Sequence, residues 1–502
     1  MTAAAGDRLR RETRHAFRQP EKAYDGPLYP CEVSFFPQPV IMRYSLASVA
    51  FAVAVLVAPA TLADEAEDIR VVSDLTQPYL EAHIVSGLSI GIVRKDREPL
   101  IIGFGRTGNA LQPTPDGRTV YEIGSISKVF TGVLLGHAVA EGKLTLQQPL
   151  DQLLPGVLGA PRKGKEITLL DLATHASGLP RLPSNMDPAA ADPYAQYDSA
   201  KLLEFLARRD LVLTPRAKTE YSNLGFAVLG YLLEQRLDGS YGQLIHNRIT
   251  GPLEMQDTTI DPASVDSSRL AVPHTVELRP TNPWTFQTFA AAGAIRSTVE
   301  DMVRFINANL QPSKGKLAAA IDTAWEVHRP ANSPDEFAMG LGWHVARDGH
   351  TRWHNGQTGG YHSAVFISRR YGAGVVVLAN AATMEIDALA EQLVVWAMGG
   401  PAEPRKFKAM VEVSDVIKQR HEGRYAHSSG AELVVTLNDD RILTAQLTGQ
   451  PAFAVYPESD GKWNYRVVEA SLMFDMKSSG PSSSLTLLQN GMELIFRRVN
   501  AN

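Results

Sequence analysis

The octapeptide Tyr121-Glu122-Ile123-Gly124-Ser125-Ile126-Ser127-Lys128 decides how this chain is read. The next residues are apolar nearly all round (Val129, Phe130, Val133, Leu134, Leu135, Ala138 and Val139) until Gly142. A helix without a polar face belongs in a protein interior. The sequence therefore predicts a buried helix from Ser125 to about Glu141, with glycine as its stop, and a short strand, Tyr121 to Ile123, leading in. Residues three apart on a helix share a face, which sets the Lys128 amine beside the Ser125 hydroxyl. A serine hydroxyl attacks only once a base takes its proton. A lysine in apolar surroundings can be that base, because desolvation disfavours its charged form. A serine at a helix start also has backbone N–H groups near the oxyanion that its attack creates. Ser125 is thus the candidate nucleophile and Lys128 its proton acceptor.

The same bare pattern recurs at Ser313-Lys314-Gly315-Lys316 and Ser459-Asp460-Gly461-Lys462. Both read as exposed turns with no comparably apolar helix behind the serine, so context singles out Ser125. A second element, Tyr221-Ser222-Asn223, stands between a polar loop and another apolar helix (Phe226, Val228, Leu229, Leu232, Leu233). As local structure, Ser222 or Asn223 is a helix N-cap. As chemistry, the Tyr221 phenol near Lys128 passes a proton to a leaving group, given a neighbouring cation to lower its pKa, and Asn223 donates to a substrate amide. The third element is Trp353-His354-Asn355-Gly356-Gln357-Thr358-Gly359-Gly360-Tyr361. So long a glycine-rich run inside a strand pattern marks a bulge or the close approach of a ligand, against the alternative of a plain turn. His354 and Thr358 are candidates for binding a substrate carboxylate, and the Gln357 N–H for completing an oxyanion hole with that of Ser125.

Outward from these elements the pattern is α+β. Apolar residues fall at helical spacing over residues 69–81, and two strands, 88–93 and 99–105, flank the Lys95-Asp96-Arg97 turn. Residues 167–174 make a helical turn, and 183–197 are loop-like. From Gly340 to Asn380 the chain reads as a meander of strands at 341–345, 351–356, 362–367 and 374–379, turning at Asp348-Gly349 and Tyr371-Gly372. A last helix runs from about Glu385 to Met398. Helices bracketing an antiparallel sheet give a catalytic domain over residues 64–400, and Pro401-Ala402-Glu403-Pro404 reads as a linker. Residues 405–502 read as a small all-β, barrel-like domain, with strands at 433–437, 442–447, 465–468, 472–476, 485–488 and 492–499. Asn490-Gly491 is its clearest hairpin turn.

Of 502 residues, 44% are hydrophobic and 21% charged, an ordinary globular balance. The net charge of −5 offers no basic field to nucleic acid. The 13 histidines are scattered without zinc-site spacing, so neither metal nor cofactor is expected. Residues 1–41 are polar and Arg-rich. Residues 42–63 combine Met42-Arg43, an apolar stretch from Leu46 to Pro59, and Thr61-Leu62-Ala63, the pattern of a secretory signal peptide cleaved after Ala63. The stretch is short and alanine-rich for a membrane anchor. This points to an exported mature chain without a stable membrane span, to Met42 as the true start, and to residues 1–41 as an upstream extension. The single cysteine, Cys31, lies in that extension. The mature chain then has no disulfide and no thiol nucleophile, which leaves serine as the acyl carrier.

In this order the three elements resemble the S-x-x-K, Y-x-N and K-T-G or H-x-G boxes of the penicillin-recognising serine hydrolases. Tyr121 to Lys128 is similar to the active-site signature of class C β-lactamases. Similar too are the run from Ile167 to His175, the Ser177-Gly178-Leu179-Pro180 just after it, and the run from Ala291 to Thr298. The likeness spans about residues 69–398. It implies a β-lactamase/transpeptidase-like antiparallel sheet flanked by helices, with Ser125 acylated. It also implies Lys128 and Tyr221 as general bases, Asn223 on the substrate amide, and His354, Asn355 and Gly356 as the third box. The C-terminal β domain loosely resembles the lipocalin-like domain attached to some of these hydrolases.

Two departures bear on substrate. His354 stands where the third box usually has lysine, and histidine carries only partial charge at neutral pH. If it must be protonated to hold a carboxylate, KM should worsen as pH rises through about 6.5. Arg181 and Leu182 follow Pro180 where the family has a glutamine. Relatives with H-x-G include D,D-peptidases, D-aminopeptidases and esterases. The expected substrate is a small molecule: a β-lactam whose ring Ser125 opens before water clears the acyl-enzyme. A D-Ala-D-Ala-type cell-wall peptide, cut by a D,D-carboxypeptidase or endopeptidase, is the alternative, and an ester a third. A non-catalytic sensor of β-lactam or muropeptide is the reading of another class, and the intact set of boxes speaks against it.

Overall fold

Seven strands form one antiparallel sheet, and its alternating side chains explain where the helices go. The structure is a computed structural model that describes residues 62–157, 166–187, 190, 192–208, 213–333, 336–407, 411–438, 441–450, 452–466, 470–475, 480–489 and 492–499. The predicted 1–41 extension, residues 42–61 of the predicted signal segment, Cys31 and the Asn490-Gly491 turn lie outside them.

The strands of this part are β1 (Gly87–Arg94), β2 (Leu100–Gly105), β3 (Tyr121–Glu122), β4 (Arg296–Ser297), β5 (Ala338–Met339), β6 (His344–Val345), β7 (Thr351–Gln357), β8 (His362–Ser368) and β9 (Ala373–Ala379). The large sheet runs β2-β1-β9-β8-β7-β6-β5, and β3 pairs with β4 apart from it. The helices begin with α1 (Leu62–Glu81) and α2 (Ser127–Ala140). Short helices α3 (Leu150–Leu153), α4 (Leu169–Ala173) and α5 (Ser199–Leu206) lead to α6 (Asn223–Leu237) and α7 (Tyr241–Ile245). Then come α8 (Ala290–Gly293), α9 (Val299–Leu310), α10 (Lys316–Trp325) and α11 (Glu385–Ala397).

Central strands β1 and β9 are buried almost throughout, as strands covered on both faces must be. Ile90, Ile92, Val375 and Val377 share a core with Val72 and Leu75 of α1 and with Leu389 and Leu393 of α11. Val376 and Leu378, one residue out of phase, join the larger core with Val299 and Val303 of α9 and with α2 and α6. The predicted first strand of the meander, 341–345, is cut short to β6. Gly342 has φ +73, and a Cβ there would stand 2.4 Å from Lys128 O, so the chain bends around α2 instead of extending.

Residues 401–407 carry no regular element, and α12 (Asp415–His421) precedes the last domain. There β10 (Gly423–Ala426), β11 (Glu432–Leu437), β12 (Leu443–Leu447), β13 (Ala452–Pro457), β14 (Trp463–Tyr465), β15 (Ala470–Phe474), β16 (Ser484–Gln489) and β17 (Met492–Val499) close into a barrel. The sequence reading lacks β10 and β13 and sets β14 a little late; β10 spans four residues of which only Tyr425 is buried, too short for alternation to register. Tyr425, Leu433, Leu443, Leu472 and Phe496 fill the interior, as side chains do in small barrels. The barrel is fastened to the first part by Arg466, whose Nη1 donates to His83 O at 2.7 Å. Among the described residues, no helix is long and apolar enough to cross a membrane.

Candidate active site

Two glycines let the nucleophile turn and β7 meet. Gly124 has φ +49, and a Cβ there would stand 2.7 Å from Gln357 N. Across the seam, a Cβ on Gly356 would lie 2.0 Å from Ile123 O and 2.8 Å from Ser125 N. Hydrogen alone fits at either place, so the N–H groups of Ser125 and Gln357 come to one narrow seam. The expected helix start at Ser125 needs correction. Ser125 rides a single 3₁₀ turn, Gly124–Ile126, closed by Ile126 N–H to Ile123 O at 3.2 Å, and the α-helix begins at Ser127. The left-handed Gly124 tightens this turn and leaves Ser125 partly accessible.

Lys128 is fully buried. Its Nζ lies 3.0 Å from Ser125 Oγ and donates to Ala292 O at 2.7 Å. Burial holds its pKa well below the ordinary lysine value, and the positive charge of Arg181 acts in the same direction. A neutral amine keeps a lone pair for the Ser125 proton.

The second element satisfies both of its readings, on different residues. Ser222 caps α6, accepting Gly225 N–H at 2.9 Å and donating to Pro180 O at 2.7 Å. Tyr221, half-buried, hydrogen-bonds Ser125. Contrary to the expected lowering, its pKa is pushed up to about 12, chiefly by desolvation of the hydroxyl, against the opposing charge of Arg181 and the bond to Ser125. Tyr221 is therefore a phenol at neutral pH, while burial favours the free-amine form of Lys128. Asn223 Nδ2 donates to Tyr194 Oη at 3.2 Å, and its buried Oδ1 has no partner among the described residues.

Strand period sorts the third element. His354 and Gly356 face the nucleophile turn, whereas Asn355 and Gln357 point their side chains to α11. Asn355 Nδ2 donates to Asp387 Oδ2 at 2.7 Å. His362 bridges Gln357 Oε1 (3.0 Å) and Asp387 Oδ1 (2.7 Å). Asn355 thus ties β7 to α11 and does not reach the cleft with its side chain. His354 is fully enclosed, its Nδ1 on Asn355 O at 2.5 Å and its ring centroid 5.0 Å from that of His344. Burial, then His344 and Lys128, hold its pKa well below the ordinary value. His354 is neutral, not partly charged. Thr358 is 2% exposed and stands beside the Glu122 carboxyl.

Three further features were not legible as site elements. His175, in a left-handed conformation at φ 56, accepts Ser222 N–H on Nδ1 at 3.1 Å and Glu220 N–H on its carbonyl at 2.7 Å. Its ring lies 4.4 Å from that of Tyr221. Its sequence signal was its place at the end of the family-like run from Ile167 to His175. An aromatic wall is formed by Tyr194, Trp284 and Phe286, with Tyr194 centroids 5.5 Å from Trp284 and 5.0 Å from Phe286. Trp284 is held at its backbone by the buried Glu122–Arg296 pair: Arg296 Nη2 donates to Trp284 O at 2.6 Å and to Glu122 Oε1 at 2.8 Å. The third is Arg181, marked in the sequence only as a departure after Pro180, whose guanidinium carbon lies 5.0 Å from the Tyr221 ring centroid. His175, His344 and His354 gather behind Tyr221, yet among the described residues no three His, Cys, Asp or Glu are arranged to hold a metal ion.

The Beta-lactamase family model matches residues 72–395. A protein from Pseudomonas fluorescens named "Beta-lactamase" is 26% identical over 350 residues, 63% of this chain and 94% of its own. One of the same name from Escherichia coli (strain K12) is 27% identical over 273 residues, covering 53% of this chain and 68% of its own. The "D-alanyl-D-alanine-carboxypeptidase/endopeptidase AmpH" of the same strain is 33% identical over 208 residues, 41% of this chain and 52% of its own. A match that takes in the Ser125 turn, the Tyr221 loop and β7 makes this chain a member of the Beta-lactamase family, the penicillin-recognising serine hydrolases.

Proposed function

We propose that this chain is an exported hydrolase of class C β-lactamase type, opening the β-lactam amide through an acyl-enzyme at Ser125. The observation that carries this reading is the desolvated Lys128 amine 3.0 Å from Ser125 Oγ. Ser125 Oγ attacks the lactam carbonyl carbon as its proton passes to Lys128 Nζ. The oxyanion is received by the N–H groups of Ser125 and Gln357, and Asn223 holds the amide of the acyl side chain. As the C–N bond breaks, the Tyr221 hydroxyl protonates the departing nitrogen and regains its proton from the Lys128 ammonium. Water then attacks the ester carbonyl, giving its proton to the same Lys128–Tyr221 pair, and Ser125 Oγ leaves as the hydroxyl. General base catalysis of this kind contributes about 10²–10⁴-fold.

A specific observation favours a second reading, a D,D-carboxypeptidase or endopeptidase on cell-wall peptides. His354, in the place of the usual lysine, is neutral, and the AmpH relative carries that activity in its name. One experiment separates the readings: incubate the chain with a chromogenic cephalosporin and follow turnover and intact mass. Rapid turnover supports the first, and a persistent adduct on Ser125 the second. No reaction, with hydrolysis of a short-chain ester, supports an esterase. Full activity in Ser125→Ala would end the mechanism altogether. Export with a start at Met42 is tested by N-terminal sequencing of the natural product, expected to begin at Asp64; finding Thr2 would refute the Met42 start.

A further inference from the structure

Among the described residues, the cleft lacks a cation where its family resemblance leads one to look, and has one elsewhere. His354, in the place of the usual lysine, is held neutral by its enclosure, and burial weakens the hold of Lys128 on its proton. Arginine stays charged in any protein setting. Arg181 is exposed and lies over the edge of the site. Its carbonyl accepts the N–H groups of Asn223 at 3.1 Å and Leu224 at 3.2 Å, so it is fastened to the start of α6 beside the Asn223 amide. Its guanidinium carbon is 5.0 Å from the Tyr221 ring centroid, which Lys128 Nζ approaches at 4.8 Å. Its charge is felt at Lys128, His175, Tyr194 and Tyr221 alike. Beside Asn223, Tyr194 Oη accepts from its Nδ2 at 3.2 Å, and Phe286 and Trp284 pack against the Tyr194 ring.

We propose that Arg181 is a specificity residue that selects acyl donors carrying a carboxylate on the acyl side chain, close to the group Asn223 binds, with the aromatic wall taking a flat apolar substituent. The assignment follows from position. Arg181 and Asn223 share the α6 side of the cleft, so the anion they meet belongs to the portion that stays on Ser125 and not to the leaving group on the β7 side. A guanidinium takes a carboxylate through paired N–H donors. The proposal rests on acylation at Ser125, and its test is built to fail separately.

Benzylpenicillin and its α-carboxy derivative differ by one such carboxylate and share the phenyl ring. Acylation by each is measured in the wild type, Arg181→Gln and Arg181→Lys. The wild type should favour the carboxylated partner, and Arg181→Gln should lower that preference by about 10- to 100-fold through KM, the range expected for a charged hydrogen bond. Arg181→Lys should keep part of it. An unchanged preference, or an equal loss of kcat on both substrates, would overturn the proposal, the latter because Arg181 would then act only on Tyr221. A second readout needs no acylation: calorimetry of phenylmalonate binding to Ser125→Ala. Binding about 10-fold weaker or worse in Ser125→Ala/Arg181→Gln supports the proposal, and equal binding in the two proteins refutes it. If binding behaves as expected while Ser125 takes up no acyl group, the proposed function fails and the anion site stands.

Discussion

His175 and Tyr221 lie ring against ring, centroids 4.4 Å apart and planes inclined by 31°, while the same histidine takes the N–H groups on either side of that tyrosine. One residue thus fixes both the ring plane and the backbone of Tyr221, the proposed proton donor. The cost of this arrangement is visible in its left-handed φ of 56, a conformation that a non-glycine side chain keeps only where its surroundings hold it.

Removing the clamp should separate stability from chemistry. His175→Ala leaves the buried Ser222 N–H without its acceptor, a loss of about 1–3 kcal/mol, and should lower kcat more than it raises KM. His175→Asn tolerates the left-handed backbone and offers an acceptor, and should recover much of the stability. Thermal melts and steady-state kinetics on both variants check this; equal kcat in His175→Ala and wild type would dismiss the positioning role.

Lys128 binds its proton more weakly folded than unfolded, so between its folded and its ordinary pKa unfolding takes up a proton. Stability should therefore rise with pH toward about 10.4, the ordinary lysine pKa, with a slope of up to about 1.4 kcal/mol per pH unit from this group. Lys128→Met removes that slope and should lower acylation by about 10²–10⁴-fold. Denaturant midpoints between about pH 7 and about pH 9, compared for the two proteins, test the sign.

His354 is held neutral by its enclosure, which reverses the pH behaviour expected of an exposed histidine in that box. KM should stay flat from about pH 5.5 to about 8, the span of an unperturbed histidine switch. A KM that worsens through about 6.5 would show that His354 is protonated when substrate binds.

Asp171 anchors the turn that carries His175. It is 1% exposed and accepts from Arg329 Nη2 at 3.0 Å and from Thr168 N–H at 3.0 Å. Breaking such a buried pair costs about 3–5 kcal/mol. Asp171→Ala should show that loss in denaturant unfolding, and Asp171→Asn a smaller one, since it keeps the hydrogen-bond acceptor.

The octapeptide around Ser125 was legible because helix period and desolvation act locally: Lys128 three residues on has to share the serine's face. The meander was legible through local signals too: the short apolar runs of β8 and β9 and the turn residues Asp348-Gly349 and Tyr371-Gly372 between the strands. The features that escaped depend on neighbours distant in sequence. Asn355 and His354 are adjacent, and only the placement of α11 reveals that Asn355 serves Asp387. The direction of the Tyr221 pKa turned on enclosure from several elements at once, which outweighs the nearby cation. Arg181 and Trp284 carry no motif of their own, and their place in the cleft comes from α6 and from the Glu122–Arg296 pair.

The seam between Gly124 and Gly356 has a consequence for the history of this chain. Neither position admits even a methyl group, so the turn that carries Ser125 is closed to gradual remodelling. Change in diet has to come from the surface loops that supply Arg181, Tyr194 and Trp284, which can be exchanged without disturbing the seam. Such a division leaves one part of the molecule invariant and another free to drift, and close relatives would then diverge in appetite long before they diverge in reaction.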